Sequence, residues 1–402
     1  MSSRMDTIWS KLDRKATAIA EFTMRQYRTR ISTWVILGAA LMAILLMLLF
    51  YVDAMYTDID PIDNDGDGLF DEDGFDWDNL EARDMSVGVD DDGDCLSKDT
   101  SSQRDSNDNG IECDIELRWN ERDESFTIES DGNVDEDPDD NAYLKEAGHR
   151  AFVLGIGKFG IVYLLGIFLP LFLATGLIRE EMNSGTMHYM LAKPIARGEV
   201  LLYRMLGYIG IVWPYIIGLC VMLCLVTGFI GPGDGIFRWA DIGVWMSIAW
   251  AAMLVSLVYG TIFCGFGILW KNGVILALLL AVWELGMAFV ALLSGGDSPI
   301  RFFSIIGWGL MVVDAGTVIC WPDNWALIEV GLWGGGNGDT DFFGDVFYDA
   351  LPGAIPLALF SSKTGLDMPE WLALVTSTMV LVFQAAMAWF IGQVMFKGKE
   401  VD

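Results

Sequence analysis

Histidine is almost missing from this chain: of 402 residues only His149 and His188 carry an imidazole. A histidine-based zinc site or a Ser-His-Asp triad needs convergent imidazole chemistry that two such separated residues do not supply. The phosphate-cradling loop G-x-x-x-x-G-K-[ST] is absent too, because the Gly-Lys pairs at 157–158 and 398–399 are followed by Phe159 and Glu400. ATP hydrolysis by that route has to come from another chain, so this one is not expected to be an enzyme. Basic residues are scarce as well, 25 Lys and Arg against 55 Asp and Glu, for a formal net charge of −30. Such an acidic surface repels phosphate instead of releasing its counterions, which excludes nucleic acid as a partner.

What is abundant is apolar: 53% of residues are hydrophobic and the mean hydropathy is +0.40. High charge and high hydrophobicity rarely share one core. They separate here by position, since residues 53–148 hold 34 of the acidic residues and only 6 basic ones. The remainder is a nearly neutral, apolar body. Six stretches are long enough to cross a hydrocarbon layer of roughly 30 Å as helices. They are 34–52 (within a first span at 32–52), 159–178, 205–229, 242–270, 273–293 and 371–396. A seventh, 302–321, is interrupted by Asp314. About thirty polar residues precede the first stretch, which is therefore not read as a cleaved signal.

Basic residues orient a membrane chain, because they gather in short cytoplasmic loops. Arg4, Lys11, Arg14, Lys15, Arg25, Arg28 and Arg30 precede the first span, and Arg179, Lys193, Arg197 and Arg204 follow the second. Lys271 separates the fourth and fifth, and Lys397 and Lys399 follow the last. Six spans with both termini cytoplasmic put all of these on one side. The fold class is then an all-α polytopic membrane protein of the cell membrane, with a large acidic, loop-rich extracytoplasmic insert between the first and second spans. Residues 302–321 become a re-entrant or interfacial helix inside an outer loop, 294–370. The N-terminal residues 1–31, with a basic and an apolar face, suit a cytoplasmic amphipathic helix lying on membrane lipid.

The insert reads as calcium chemistry. Calcium takes hard oxygen ligands at alternating positions around a sharp glycine turn. Residues 105–116, DSNDNGIECDIE, fit the twelve-residue loop pattern, with Asp105, Asn107, Asn109 and the terminal Glu116 as ligands around Gly110. Asp63, Asp65, Asp67, Asp71 and Asp73 form a variant that has Gly74 where the terminal glutamate belongs. A weaker third copy starts at Glu129, and the repeated DGLFDED (67–73) and DGNVDED (131–137) mark an internal repeat. These loops resemble thrombospondin type 3 calcium repeats, so calcium is the expected cofactor; a solvated, disordered acidic linker is the competing reading. Cys95 and Cys113 lie on the oxidising side and could pair as a disulfide. Cys220, Cys224 and Cys264 sit in apolar spans as small core residues, and Cys320 fits either role.

Between the second and third spans lies LIREEMNSGTMHYMLAKPIARGEVLLYR (177–204). Pro194 ends one short helix, and the residues after it can start another. This polar elbow is a docking surface for a soluble partner. Glu181, Gly185 and Thr186, then Pro194, Ile195 and Arg197, resemble the E…GT…PISR signature of type-2 ABC transporter permeases, with Arg204 where such proteins often carry lysine. The resemblance implies a permease subunit of an ATP-driven exporter, forming a homodimer or heterodimer of permeases and working with a separate cytoplasmic ABC ATPase. Segment 179–204 would hold the coupling helix that the ATPase grips. ATP would enter the system only through that partner. Glu284, alone in mid-span, is a candidate for the translocation path or for pairing across a dimer. Under the competing function, a membrane-anchored calcium-dependent binding or adhesion protein, the insert would be the active part. Against that, an anchor needs only one span.

Overall fold

The computed structural model describes residues 17–58, 116–120, 125–129, 140–177, 197–233, 235–270, 272–293, 302–322, 324 and 368–398. Helix α1 (17–29) leads through an extended Arg30 into α2 (Ile31–Tyr56). Two short strands, β1 (Glu116–Asn120) and β2 (Ser125–Glu129), fall inside the insert. Helix α3 (Asp140–Gly155) continues as a π-helix (Ile156–Leu165) and then as α4 (Gly166–Leu173). Helices α5 (Arg197–Ile230), α6 (Asp241–Leu269), α7 (Gly273–Leu293), α8 (Ile305–Cys320) and α9 (Glu370–Gly398) complete the body.

Among the described residues five helices are long and apolar enough to cross a membrane: Ile31–Tyr56, Lys145–Leu173, Gly198–Ile230, Asp241–Leu269 and Glu370–Lys397. The expected span at 273–293 is helical over 21 residues. Its side chains are described only as far as Met287, and that apolar part is shorter than a span. The protein is a multi-pass membrane protein whose membrane body is helical.

Helix α6 sits at the centre, in contact with α4, α5, α7, α8, α9 and the π-helix. It is apolar on every side, from Val244 and Ile248 through Val255 to Phe263, as a helix enclosed by others has to be. Helices α2 and α9 instead expose Leu46, Phe50, Met379, Phe383 and Phe390. Water would penalise such faces, whereas a lipid-spanning helix presents them to hydrocarbon. Close approach to α6 requires glycine at Gly166, where a Cβ would stand 2.8 Å from Val255 Cγ1.

Two expected boundaries move. Hydropathy starts the second membrane helix at 159 and ends the insert at 148, yet one continuous helical stretch begins at Asp140. Lys158 cuts the apolar run short in the sequence; its charge is buried and paired, so the helix passes through it. The insert, expected to be loop-rich, also contains an antiparallel hairpin with Glu116 opposite Glu129 and Trp119 opposite Phe126. ELRWN and SFTIE alternate polar and apolar residues, the period of a strand with one covered face.

Helix α8 has 16 residues, about 24 Å of rise, less than the roughly 30 Å of a hydrocarbon core. Its N-cap, Ser304, meets Glu284, the twelfth residue of α7, so the helix starts halfway along the bundle. Its last residue, Cys320, lies against Gly243 at the start of α6. Met311 and Ala315 pack on Ala373 of α9, and Gly309 on Val255 of α6.

Candidate functional site

Two polar regions stand out in this apolar body, one at each end. At the α1 end, Leu177 and Arg197 are the last and first described residues on either side of the segment 178–196. Arg204, two turns into α5 and 1% exposed, reaches back across this gap. Its Nη1 donates to the carbonyl of Leu177 at 2.9 Å and to Gln26 Oε1 of α1 at 3.4 Å. The guanidinium lies 5.7 Å from the centre of the Phe22 ring. A helix C-terminus carries partial negative charge on its free carbonyls, so a cation there is well placed. Tyr27 Oη donates to the Leu173 carbonyl at 2.7 Å, tying α1 to the same helix end. Gly207 completes the joint: a Cβ there would be 2.8 Å from the Ala20 carbonyl and 2.6 Å from Thr23 Cβ. The two roots of the segment and α1 thus form one packed unit.

The second region runs from mid-body to the opposite, insert end. Glu284, 2% exposed, accepts from Ser304 Oγ and from the Ile305 N–H at 3.3 Å, so a carboxylate of α7 caps the N-terminus of α8. Nearer the insert end, Lys158 Nζ of the π-helix and Asp314 Oδ1 of α8 form a buried ion pair at 2.6 Å. Beyond them lies a network of five charged or ionisable groups. Glu146 receives both terminal nitrogens of Arg238 at 2.7 Å and Arg150 Nε at 2.7 Å. Arg238 Nε donates to Asp241 Oδ2 at 3.2 Å, and His149 Nε2 lies 3.0 Å from the same oxygen. Tyr51 Oη contacts His149 Nδ1 at 2.7 Å, and the Arg150 guanidinium stands over Trp321 just past α8. Lys145 pairs with Asp58, joining the two stems from which the insert leaves.

Of the residues singled out from sequence, Glu284 is buried at the root of α8, and Arg197 opens α5 with its side chain outside the described set. Glu181, Gly185, Thr186 and Pro194 lie outside the described residues, as do Asp63, Asp65, Asp67, Asp71, Asp73, Asp105, Asn107, Asn109, Cys95 and Cys113. Glu116 is placed only by its backbone, as the first residue of β1. Among the described residues no three His, Cys, Asp or Glu side chains gather into a metal site. Cys220, Cys224, Cys264 and Cys320 are free thiols.

Sequence reasoning gave no role to Glu146, Lys158, Arg238 or Asp241, read Asp314 only as a break in an apolar run, and used His149 only to discount zinc. A signal was present, since Lys158 and Asp314 are opposite charges that each interrupt an apolar run.

The family described as ABC-2 family transporter protein matches residues 17–301, from α1 through α7. The chain belongs to the ABC-2 transporter family. This permease is accordingly a membrane component of an ABC transporter. The matched stretch includes both roots of segment 178–196, Arg204, Lys158 and Glu284, and ends before α8. No curated protein and no solved structure matches the chain.

Proposed function

We propose that the chain is the permease subunit of an ABC exporter, driven by a separate cytoplasmic ATPase that docks on segment 179–204, with both termini on the ATPase side. The observation that carries this reading is the joint at the α1 end. Arg204, Tyr27 and Gly207 lock α1, the end of α4 and the start of α5 together. A push on the intervening segment therefore reaches three membrane elements as one body. A segment serving only as a connecting loop would need no such joint. Binding of ATP by the partner would shift the permease between conformations through this joint. In this reading Glu181, Gly185 and Thr186 shape the docking surface, Pro194 and Arg197 set its exit into α5, and the permease pairs with a second permease chain.

A tagged full-length chain should copurify with a P-loop ATPase. Glu181→Ala with Arg197→Ala should lower that association or the ATPase rate; unchanged values for both would remove the docking assignment.

We further infer that the insert binds calcium. The backbone register supports this, since Glu116 ends one acidic loop, Glu129 starts the next, and the hairpin sets them opposite each other. Like charges directly opposite are destabilising without a counterion. Calcium should protect the insert of the whole protein against proteolysis, and Asp105→Ala with Glu116→Ala should abolish that protection. Equal cleavage with and without calcium would overturn the assignment.

A further inference from the structure

We propose that the insert-side half of the transport route follows the polar seam between the π-helix and α8, with Lys158 and Asp314 as its lining charges, and that the cargo is hydrophilic and charged. This rests on the permease reading and adds to it the place of the route and the class of cargo.

Three independent features converge on this seam. First, Lys158 and Asp314 are each about 3% exposed inside a lipid-spanning body. Such groups are costly there, and an apolar pair of similar volume would hold the two helices at least as well. Charge at this position therefore needs a reason other than stability. Second, both residues stand on irregular elements. Lys158 lies in a ten-residue π-helix, whose altered hydrogen-bond ladder is a frequent mark of functional sites. Asp314 lies on a short helix that begins at half depth and is too short to span the hydrocarbon core.

Third, the pair belongs to a file of buried polar groups: Glu284 and Ser304 precede it, and the Glu146 network follows it at the insert end. Each charge has a partner in this arrangement: Lys158 has Asp314, Arg150 and Arg238 have Glu146, and Glu284 has the Ser304 hydroxyl and the Ile305 N–H. When α8 and the π-helix separate, the same groups offer one ammonium and one carboxylate to whatever passes. A route for apolar cargo gains nothing from that. A charged, water-soluble cargo replaces the contacts that each group gives up.

The test reads an introduced thiol. Thr317→Cys places it on α8, fully buried and one turn beyond Asp314, in a chain whose six native cysteines are replaced by serine or alanine. The complete complex with its ATPase, in lipid nanodiscs, is exposed to two membrane-impermeant methanethiosulfonates. One carries a sulfonate and the other a trimethylammonium group. Both reagents should label position 317 severalfold faster with ATP than without nucleotide.

Lys158→Met should shift the labelling ratio roughly tenfold toward the cationic reagent, as one unpaired carboxylate at close range would, and Asp314→Asn toward the anionic one. The exchanged pair, K158D with D314K, should return the ratio to the parent value, and it carries the test where a single variant fails to assemble. A merely structural ion pair would leave the ratio unmoved. If the ATPase associates but the thiol stays shielded with ATP, or the ratio ignores these substitutions, the route is overturned while the permease reading stands. If no ATPase associates, both fall.

Discussion

At the insert end of the bundle one carboxylate, Glu146, holds two guanidinium groups, and Asp241 lies between Arg238 and His149. At the α1 end, by contrast, Arg204 is held by a backbone carbonyl and an amide oxygen, beside a glycine contact that admits no side chain. Losing one partner of a buried ion pair leaves the other uncompensated. The insert end is therefore fixed by contacts that hold or fail together. The α1 end is fixed by close packing at Gly207 and by hydrogen bonds that Arg204 donates to neutral oxygens. This asymmetry suits the proposed permease, in which the joint at the α1 end would transmit displacement and the opposite end would resist it.

The contrast can be broken from either side. Glu146→Ala, which removes the carboxylate shared by two buried guanidiniums, should be the largest effect, about 3–5 kcal/mol in unfolding free energy measured in detergent. Arg204→Met should come next, at about 1.5–3 kcal/mol for a lost charged hydrogen bond. Its loss should be local, with faster hydrogen exchange in 17–29 and no change around Glu146; exchange spread evenly over the body would contradict two separately fixed ends. Tyr51→Phe removes one hydroxyl contact to His149 and should cost about 1 kcal/mol. Glu21→Ala removes an exposed ion pair with Arg25 on α1 and should change stability by at most about 0.5 kcal/mol. An effect comparable to that of Glu146→Ala would mean that surface charge, not shape, holds the α1 end.

Much of the architecture was legible along the chain. Apolar length alone marked α2, α6 and α9 to within a few residues, because a lipid span needs an uninterrupted run. Helix α5 instead begins at Arg197, ahead of the expected 205, its first turns carrying Arg197, Glu199 and Arg204. The family match, residues 17–301, includes the Glu181…Arg197 motif that carried the resemblance. The failures were at charges. Along the sequence Lys158 marks the near edge of a span and Asp314 a break in another, because hydropathy scores each residue alone. Residues 140–148 fall to the insert by their polarity, yet they form the first turns of a membrane helix whose Glu146 and Arg150 pair at i, i+4.

The sequence by itself determined that the protein lives in a membrane, that it holds no P-loop, and that its acidity is confined to residues 53–148. Composition and apolar run length are properties of the chain and need no partner. Which buried charges meet was decided only by the tertiary structure. The cost of burying Lys158 depends on a carboxylate 156 residues away, and that of Arg238 on one 92 residues before it. Whether a charge ends a helix or lies inside the bundle is thus a property of the packed pair, and packing alone brings the pair together.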